Sequence, residues 1–238
     1  IDGSVVAVPA VRLNGEWISQ SMICMRALGD EVGLAQPIKK NKSKLSQTLL
    51  NLFDLQEEGF KKRFGIKTIK EAEEFLNTRG VKFLTAVEHA YAQSSGSLFI
   101  GDTPSVVDYQ LVALMLIFKY AFGEDITDDF VRSVAPTCFS AYGTMMARPN
   151  IKKFIDADYG GYPIYNPTAK VSAPYLEGYK KPRGIVVRYW PLQGRCLGVN
   201  LLLEDSGVKY ERVIHDGSSI DGSVVAVPAV RLNGEGIS

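Results

Sequence analysis

The hydrophobic and polar positions begin with a β pattern and then change to a helical one. Residues 7–13 are mainly apolar and β-branched, and Asn14-Gly15 follows them, which is a pair typical of a type I′ hairpin turn. Residues 21–33 carry apolar side chains at helical spacing, with Ser21 suited to cap the start and Gly33 to end the helix. This stretch predicts a β-hairpin followed by a helix.

The middle of the chain has helical periodicity throughout. Its apolar positions predict helices over residues 45–64, 68–93, 105–122, 127–146 and 149–156. The third of these segments is apolar almost all round, which predicts a buried central helix. Ser105 and Asp108 have the spacing of a capping box at its start, so we expect Asp108 to bind backbone N–H groups there. The acidic stretch 127–129 carries a similar helix-start signature.

The pattern changes again after residue 158. Residues 159–182 contain four prolines and five tyrosines, and they are expected to form an extended linker rather than a packed element. Beyond them the apolar positions predict a strand over 185–189, a helix over 193–205 and a second strand over 208–214. This spacing has the size of a unit in which a helix crosses between two parallel strands.

One sequence, IDGSVVAVPAVRLNGE, occurs twice, at residues 1–16 and 220–235. Three explanations are open: a circular permutation with overlapping ends, an artefact of engineering or assembly, and a true repeat protein. The last is disfavoured because repeat arrays need three or more units. If the hairpin follows the second strand, the element order becomes βαβ-ββα, that of a thioredoxin-like domain. The expected fold is therefore α/β plus all-α, in permuted chain order.

The duplication sets the expected domains. Residues 1–35 and 184–238 should form the thioredoxin-like domain, residues 36–158 an all-helical domain, and residues 159–183 the linker. A sheet has room for one hairpin, so the surplus copy should be displaced or should pair with a neighbouring molecule by domain swapping. We favour the first copy for the sheet, because it continues directly into the predicted helix.

Composition narrows the class of protein. The 238 residues carry a net charge of +1, which gives no indication of nucleic-acid binding. The three cysteines, Cys24, Cys138 and Cys196, are odd in number and far apart, which is typical of a reducing compartment and argues against a disulfide framework or a zinc ribbon. No leader-like segment or membrane-spanning run is present in the sequence, so we expect a cytoplasmic protein.

Several motifs agree once the chain is read in permuted order. They are VVRYWPLQGR at residues 186–195, VPA at 8–10, FIGD at 99–102 and SVVDY at 105–109. Together they resemble the opening strand, the cis-proline segment and the helical capping motif of cytosolic glutathione S-transferases of the tyrosine type, nearest the pi class. The resemblance implies a glutathione-binding thioredoxin-like domain and an all-helical second domain.

The resemblance also implies an activity, the conjugation of glutathione to hydrophobic electrophiles, as in detoxification. Tyr189 corresponds to the catalytic tyrosine, whose hydroxyl would donate a hydrogen bond to the glutathione sulfur and stabilise its thiolate. Trp190 would line the pocket for the hydrophobic substrate. Glutathione is the implied co-substrate, and no metal is implied.

Five residues are implied to bind glutathione. Val8 and Pro9 would present backbone groups to its cysteinyl part, with a cis bond before the proline turning the chain. Gln20 and Ser21 would bind its γ-glutamyl carboxylate at a helix start, where backbone N–H groups attract anions. Arg195 would add a basic group near the site.

The family pattern further implies a homodimer in which an acidic residue of the partner reaches glutathione, and Asp54 and Glu57 are the candidates. One departure works against activity. Only about a dozen residues separate Ile214 from the second Val-Pro pair at 227–228. Pi-class enzymes have a longer segment there, with a tryptophan and a lysine that bind the glycine end of glutathione. The alternative is a non-catalytic structural or ligand-binding relative, or an engineered permutant with a weakened site.

Overall fold

A computed structural model describes residues 9–34, 42–63, 68–161, 164 and 185–214. The chain forms two compact units, one from Ile1–Leu28 with Phe154–Ser238 and the other from Gly29–Lys153. We call them the sheet unit and the helical unit. Val8, the second copy of the repeated sequence and most of the predicted linker lie outside the described residues.

The sheet unit contains four strands in the order β2-β1-β3-β4: β1 (Ala10–Leu13), β2 (Glu16–Ser19), β3 (Ile185–Tyr189) and β4 (Tyr210–Ile214). The inner strand β1 runs antiparallel to β2 and to the other inner strand, β3, whereas β3 and β4 are parallel. The parallel pair is joined through a 3₁₀ turn (Gly194–Cys196) and helix α10 (Leu197–Ser206). The predicted strand–helix–strand unit is confirmed.

The first copy of the repeated sequence supplies β1, the turn at Asn14-Gly15 and the first residue of β2, Glu16. Asn14 and Gly15 have φ values of 49° and 91°, as a type I′ turn requires. Helix α1 (Ser21–Glu31) follows β2 directly. Its end is a Schellman motif, because the N–H of Gly33 donates to Asp30 and that of Leu34 to Gly29, with Gly33 at a φ of 69°. These elements fit a thioredoxin-like arrangement in a chain that also contains a helical unit.

The helical unit is built from consecutive helices connected by short segments. They are α2 (Lys42–Arg63), α3 (Ile69–Phe75), a π-helical turn (Leu76–Gly80), α4 (Val81–Tyr91), α5 (Val106–Phe122), α6 (Glu124–Val134), α7 (Pro136–Met146) and α8 (Pro149–Asp156). A short turn, α9 (Asp158–Gly161), follows, with left-handed φ values at Tyr159 and Gly160. No helix within the described ranges is long and apolar enough to cross a bilayer.

Helix α5 is the buried centre of this unit, as predicted. Asp108 in its first turn is fully buried and accepts hydrogen bonds from the N–H of Ser105 (2.8 Å), the hydroxyl of Ser105 (2.7 Å), the N–H of Phe99 (3.0 Å) and the hydroxyl of Tyr91 (2.9 Å). Burial raises the pKa of Asp108, although these donors oppose the shift. The capping role predicted for Asp108 is confirmed.

One predicted helix was wrong in its extent. Residues 127–146 form two helices, because Ala135 has a φ of −142° and Pro136 begins the second helix without a backbone N–H to continue the first. The first helix also starts earlier than the acidic stretch 127–129 suggested. It begins at Glu124, where Gly123 at a φ of 99° ends α5.

Candidate functional site

Three strands of the sheet unit have an end at the same edge of the sheet, and Pro9, Gln20, Ser21 and Tyr189 lie there. Ala10 pairs with Ser19 on one side and with Arg188 on the other. Pro9 therefore precedes β1 at the same edge at which β2 leads into Gln20 and β3 ends at Tyr189. Continuing the β1–β3 register by one residue sets Pro9 opposite Tyr189. Sheet topology thus gathers residues from distant parts of the sequence.

The ring of Tyr189 is buried, with the residue only 4% exposed. Its hydroxyl oxygen accepts a hydrogen bond of 3.0 Å from the backbone N–H of Arg195, in the 3₁₀ turn that leads into α10. Trp190 comes next in the chain and is partly buried. The hydroxyl is thus held by a main-chain group that belongs to the start of a helix.

The loop between β3 and α10 is fixed by buried polar groups. Arg212 in β4 donates through Nη2 to the carbonyls of Trp190 (3.3 Å) and Leu192 (2.8 Å). Gln193 is fully buried; its Nε2 donates to the carbonyl of Tyr159 (2.8 Å), and its Oε1 accepts from Asn200. Buried amides that are satisfied at both ends specify one conformation, so this loop is rigidly placed.

The start of α1 lies at the same edge of the sheet. Ser21, its first residue, is 3% exposed, and Gln20 before it has a φ of 73° and an exposed side chain. The thiol of Cys24 lies within hydrogen-bonding distance of the carbonyls of Ile18 (3.3 Å) and Pro9 (3.6 Å). These contacts tie the first turn of α1 to β1 and β2, which directs the positive end of the helix dipole to this edge.

The cysteines do not offer a nucleophile at this edge. Burial raises the pKa of Cys24 well above its usual value, and the neighbouring Cys196 adds to the effect. Burial likewise raises the pKa of Cys196 to about 12, although Arg212 opposes the shift. Both thiols are therefore protonated near neutral pH. Among the described residues, no group of three histidine, cysteine, aspartate or glutamate side chains gathers as a metal site would require.

Comparison with known protein families gives a match in the helical unit. Residues 54–158 match the model of the glutathione S-transferase C-terminal domain. The match runs from the middle of α2 to the turn α9 and covers somewhat less than half of the chain. It supports a glutathione S-transferase-like protein, a family that uses glutathione as co-substrate. No curated protein and no solved structure matched the chain.

For a glutathione S-transferase-like protein, the placement of the predicted site residues is coherent. Pro9, Gln20, Ser21 and Tyr189 come together at one edge of the sheet, and Arg195 reaches Tyr189 through its main chain. Their roles stay predictions, and Val8 lies outside the described residues. Asp54 and Glu57 both belong to α2, the former exposed and the latter buried.

Sequence reasoning missed the groups that hold the Tyr189 loop. Gln193 and Gly194 lie within the motif at residues 186–195, and Arg212 lies in a predicted strand, but none of the three was predicted to have a role at the site. The sequence did carry one signal, the pair Gln193-Gly194 shortly before the apolar helix α10. In that position a buried amide can fix a turn whose next N–H faces the preceding strand.

Proposed function

We propose that the protein is a glutathione transferase that conjugates glutathione to hydrophobic electrophiles. The single observation that carries the proposal is the buried hydroxyl of Tyr189 at the end of β3, held by the N–H of Arg195 at the edge where α1 begins. The family match of residues 54–158 supports it independently, because it concerns the other unit.

The chemistry follows from the hydroxyl. Glutathione would supply a thiol whose proton passes to solvent and whose thiolate forms a C–S bond while the leaving group departs with its electron pair. The Tyr189 hydroxyl remains neutral and donates a hydrogen bond to the sulfur. Hydrogen bonds to charged acceptors are about twice as strong as neutral ones, so the hydroxyl favours the thiolate over the thiol.

The remaining residues of the edge suit a peptide that carries carboxylates. Ser21 and Gln20 would bind the γ-glutamyl carboxylate, where the N-terminal end of α1 attracts negative charge. Val8 and Pro9 would pair through their backbone with the cysteinyl part. Arg195 would add positive charge, and Trp190 would contact the apolar substrate.

The finer assignments belong to the same proposal. We propose a tyrosine-type protein nearest the pi class, in permuted chain order, with the first copy of the repeat in the sheet. We also propose a cytoplasmic homodimer, with the spare copy of the hairpin available for strand exchange between protomers. The pairing of β1 with β3 supports the place of the first copy.

The test compares the parent protein with Tyr189→Phe, which keeps the ring and removes only the hydroxyl. Glutathione is titrated calorimetrically into both, and both are assayed with a chlorodinitrobenzene-type electrophile. We expect similar binding and a loss of roughly 10²-fold or more in turnover for the variant, since one donor to a developing charge contributes that much. Equal turnover in both proteins would overturn the role of Tyr189.

The second candidate is a non-catalytic glutathione S-transferase-like binding protein. Residues 215–226, which follow β4, contain no tryptophan and no lysine, so the pi-class groups for the glycine carboxylate have no counterpart there. Failure of the parent to bind glutathione in the same titration would favour this candidate. Binding without conjugation of any electrophile would favour it as well.

A further inference from the structure

We propose that Gln193 and Gly194 are positioning residues that set the direction in which the Tyr189 hydroxyl donates its proton. This inference rests on the proposed function, because it explains how the hydroxyl is prepared for a sulfur acceptor. Neither residue was among the predicted site residues.

The Tyr189 hydroxyl accepts a hydrogen bond from the main chain. A tyrosine hydroxyl has one proton to donate and two lone pairs that accept. The N–H of Arg195 occupies a lone pair at 3.0 Å. The hydroxyl proton cannot point at that N–H and must be directed elsewhere. Accepting from an N–H at a helix start also polarises the hydroxyl and strengthens it as a donor.

There is little space around that hydrogen bond. Gly194 has a φ of 40°, and a Cβ atom there would lie 2.9 Å from the Tyr189 hydroxyl oxygen and 2.7 Å from Cδ1 of Leu192. The tyrosine ring is stiff and buried, so it cannot rotate away without disturbing the core. Any side chain at residue 194 must therefore displace the hydroxyl or the peptide that donates to it.

Hydrogen bonds hold the loop between β3 and α10 in place. The N–H of Gly194 donates to the carbonyl of Ile164 at 2.9 Å, and the N–H of Arg195 donates to Tyr189. The side chain of Gln193 is satisfied at both ends by Tyr159 and Asn200. Two consecutive N–H groups are thereby aimed in different directions, one at the backbone of residue 164 and one at the hydroxyl.

The experiment needs a control glycine that also has a positive φ but whose added Cβ would not approach Tyr189. Gly207 provides it, because it has a φ of 67° and an added Cβ would meet no atom of the described residues within 4 Å. Gly194→Ala and Gly207→Ala both introduce a side chain at a left-handed position, but only the first approaches Tyr189. Tyr189→Phe removes the acceptor alone and leaves the loop sequence intact.

Hydrogen exchange of the Arg195 amide, followed by NMR without any ligand, is the first readout. We expect exchange to be roughly 2- to 10-fold faster in Tyr189→Phe and in Gly194→Ala, as the loss of one hydrogen bond predicts, and unchanged in Gly207→Ala. An Arg195 amide that exchanges at the parent rate in Tyr189→Phe would overturn the inference. This measurement uses no ligand, so its result does not depend on whether glutathione binds.

The second readout is the ultraviolet absorbance of bound glutathione thiolate as a function of pH. In Gly194→Ala we expect the thiol pKa of bound glutathione to rise by about one pH unit towards its value in Tyr189→Phe. Gly207→Ala should match the parent, whereas a purely structural role of Gly194 would leave the pKa unmoved. If Gly194→Ala gives the parental pKa, the positioning role is wrong, even if Tyr189→Phe shows that the proposed function is right.

Discussion

The helical unit and the sheet unit use their buried polar groups for different purposes. In the helical unit these groups end or join helices: Asp108 caps α5, and Gln56 accepts from Gln110 at 2.7 Å. The half-buried Glu88 likewise accepts from the first turn of α7. In the sheet unit, Gln193 instead fixes a loop beside a hydroxyl. The first arrangement stabilises a scaffold, and the second orients a single chemical group.

The family match and the proposed chemistry fall in different units. The matched residues 54–158 lie almost wholly in the helical unit, whereas Tyr189 and the strand ends lie in the sheet unit. A helical scaffold leaves a long and regular pattern in the sequence. A binding edge made by strand ends leaves only short motifs in the sequence.

The largest expected effect is on the scaffold. Asp108→Ala should lower the free energy of unfolding by about 3–5 kcal/mol, because it leaves buried donors at Phe99, Ser105 and Tyr91 without their acceptor. Chemical denaturation followed by circular dichroism measures it. Asp102→Ala is the control: among the described residues this exposed carboxylate accepts only from Ser97, and its loss should cost less than about 1 kcal/mol. Equal losses in the two variants would contradict the scaffold role.

A smaller effect is expected where two elements of the helical unit approach closely. A Cβ atom on Gly59 would lie 2.6 Å from Cε1 of Phe118, so Gly59→Ala should destabilise by about 1–3 kcal/mol. In the part of the chain that the structure describes, no atom lies within 4 Å of a Cβ added to Gly143 in α7, and Gly143→Ala should be neutral or stabilise by up to about 1 kcal/mol. Thermal unfolding of both variants distinguishes packing from helix propensity.

The next effect depends on pH. The Glu88 carboxylate accepts from the N–H groups of Thr137 and Cys138, each at 3.0 Å. Burial raises its pKa, but these hydrogen bonds outweigh burial and hold the pKa below the usual 4.5. Because the folded-state pKa is lowered, the stability gained is present above pH 4.5 and is lost as the pH falls through the folded-state value.

Glu88→Gln therefore tests that contact. It should cost about 1 kcal/mol or less at neutral pH, since the carboxylate is partly screened by solvent, and it should flatten the decline of stability in acid. Urea titrations at several pH values measure both. A variant that shows the same acid dependence as the parent would exclude Glu88 as the source.

The smallest effect concerns the duplicated hairpin. The first copy forms β1 and pairs with β3. Deletion of residues 219–238 should therefore leave a cooperative unfolding transition within about 1 kcal/mol of the parent. Loss of the transition would mean that the second copy is needed for the sheet. Light scattering of both proteins would show whether oligomers larger than a dimer disappear with the deletion, as strand exchange predicts.

Regular elements could be predicted from the sequence, because their signals are local. The strand 185–189, the helix 105–122 with its Asp108 cap, and the turn at Asn14-Gly15 follow from periodicity and turn chemistry. The break before Pro136 was missed because the apolar pattern continues through it. The π-helical turn (Leu76–Gly80) was missed for the same reason.

The candidate site could be predicted only in part. The resemblance implied Tyr189, Pro9, Gln20 and Ser21, which the structure brings to one edge of the sheet, and their roles stay predictions. Gln193 contacts residues that are distant in the sequence, such as Tyr159. No local sequence pattern predicts such contacts. Contacts of this kind depend on tertiary packing and emerge only with the fold.

The most direct test of the account asks which unit glutathione perturbs. Glutathione is titrated into ¹⁵N-labelled protein, and the amide shifts are followed for every residue. We predict saturable shifts at Ala10, Ser21 and Arg195, and none in the central helix α5 (Val106–Phe122). Shifts confined to the helical unit, or the absence of any saturable shift, would contradict the claim that the chemistry resides at the strand ends of the sheet unit.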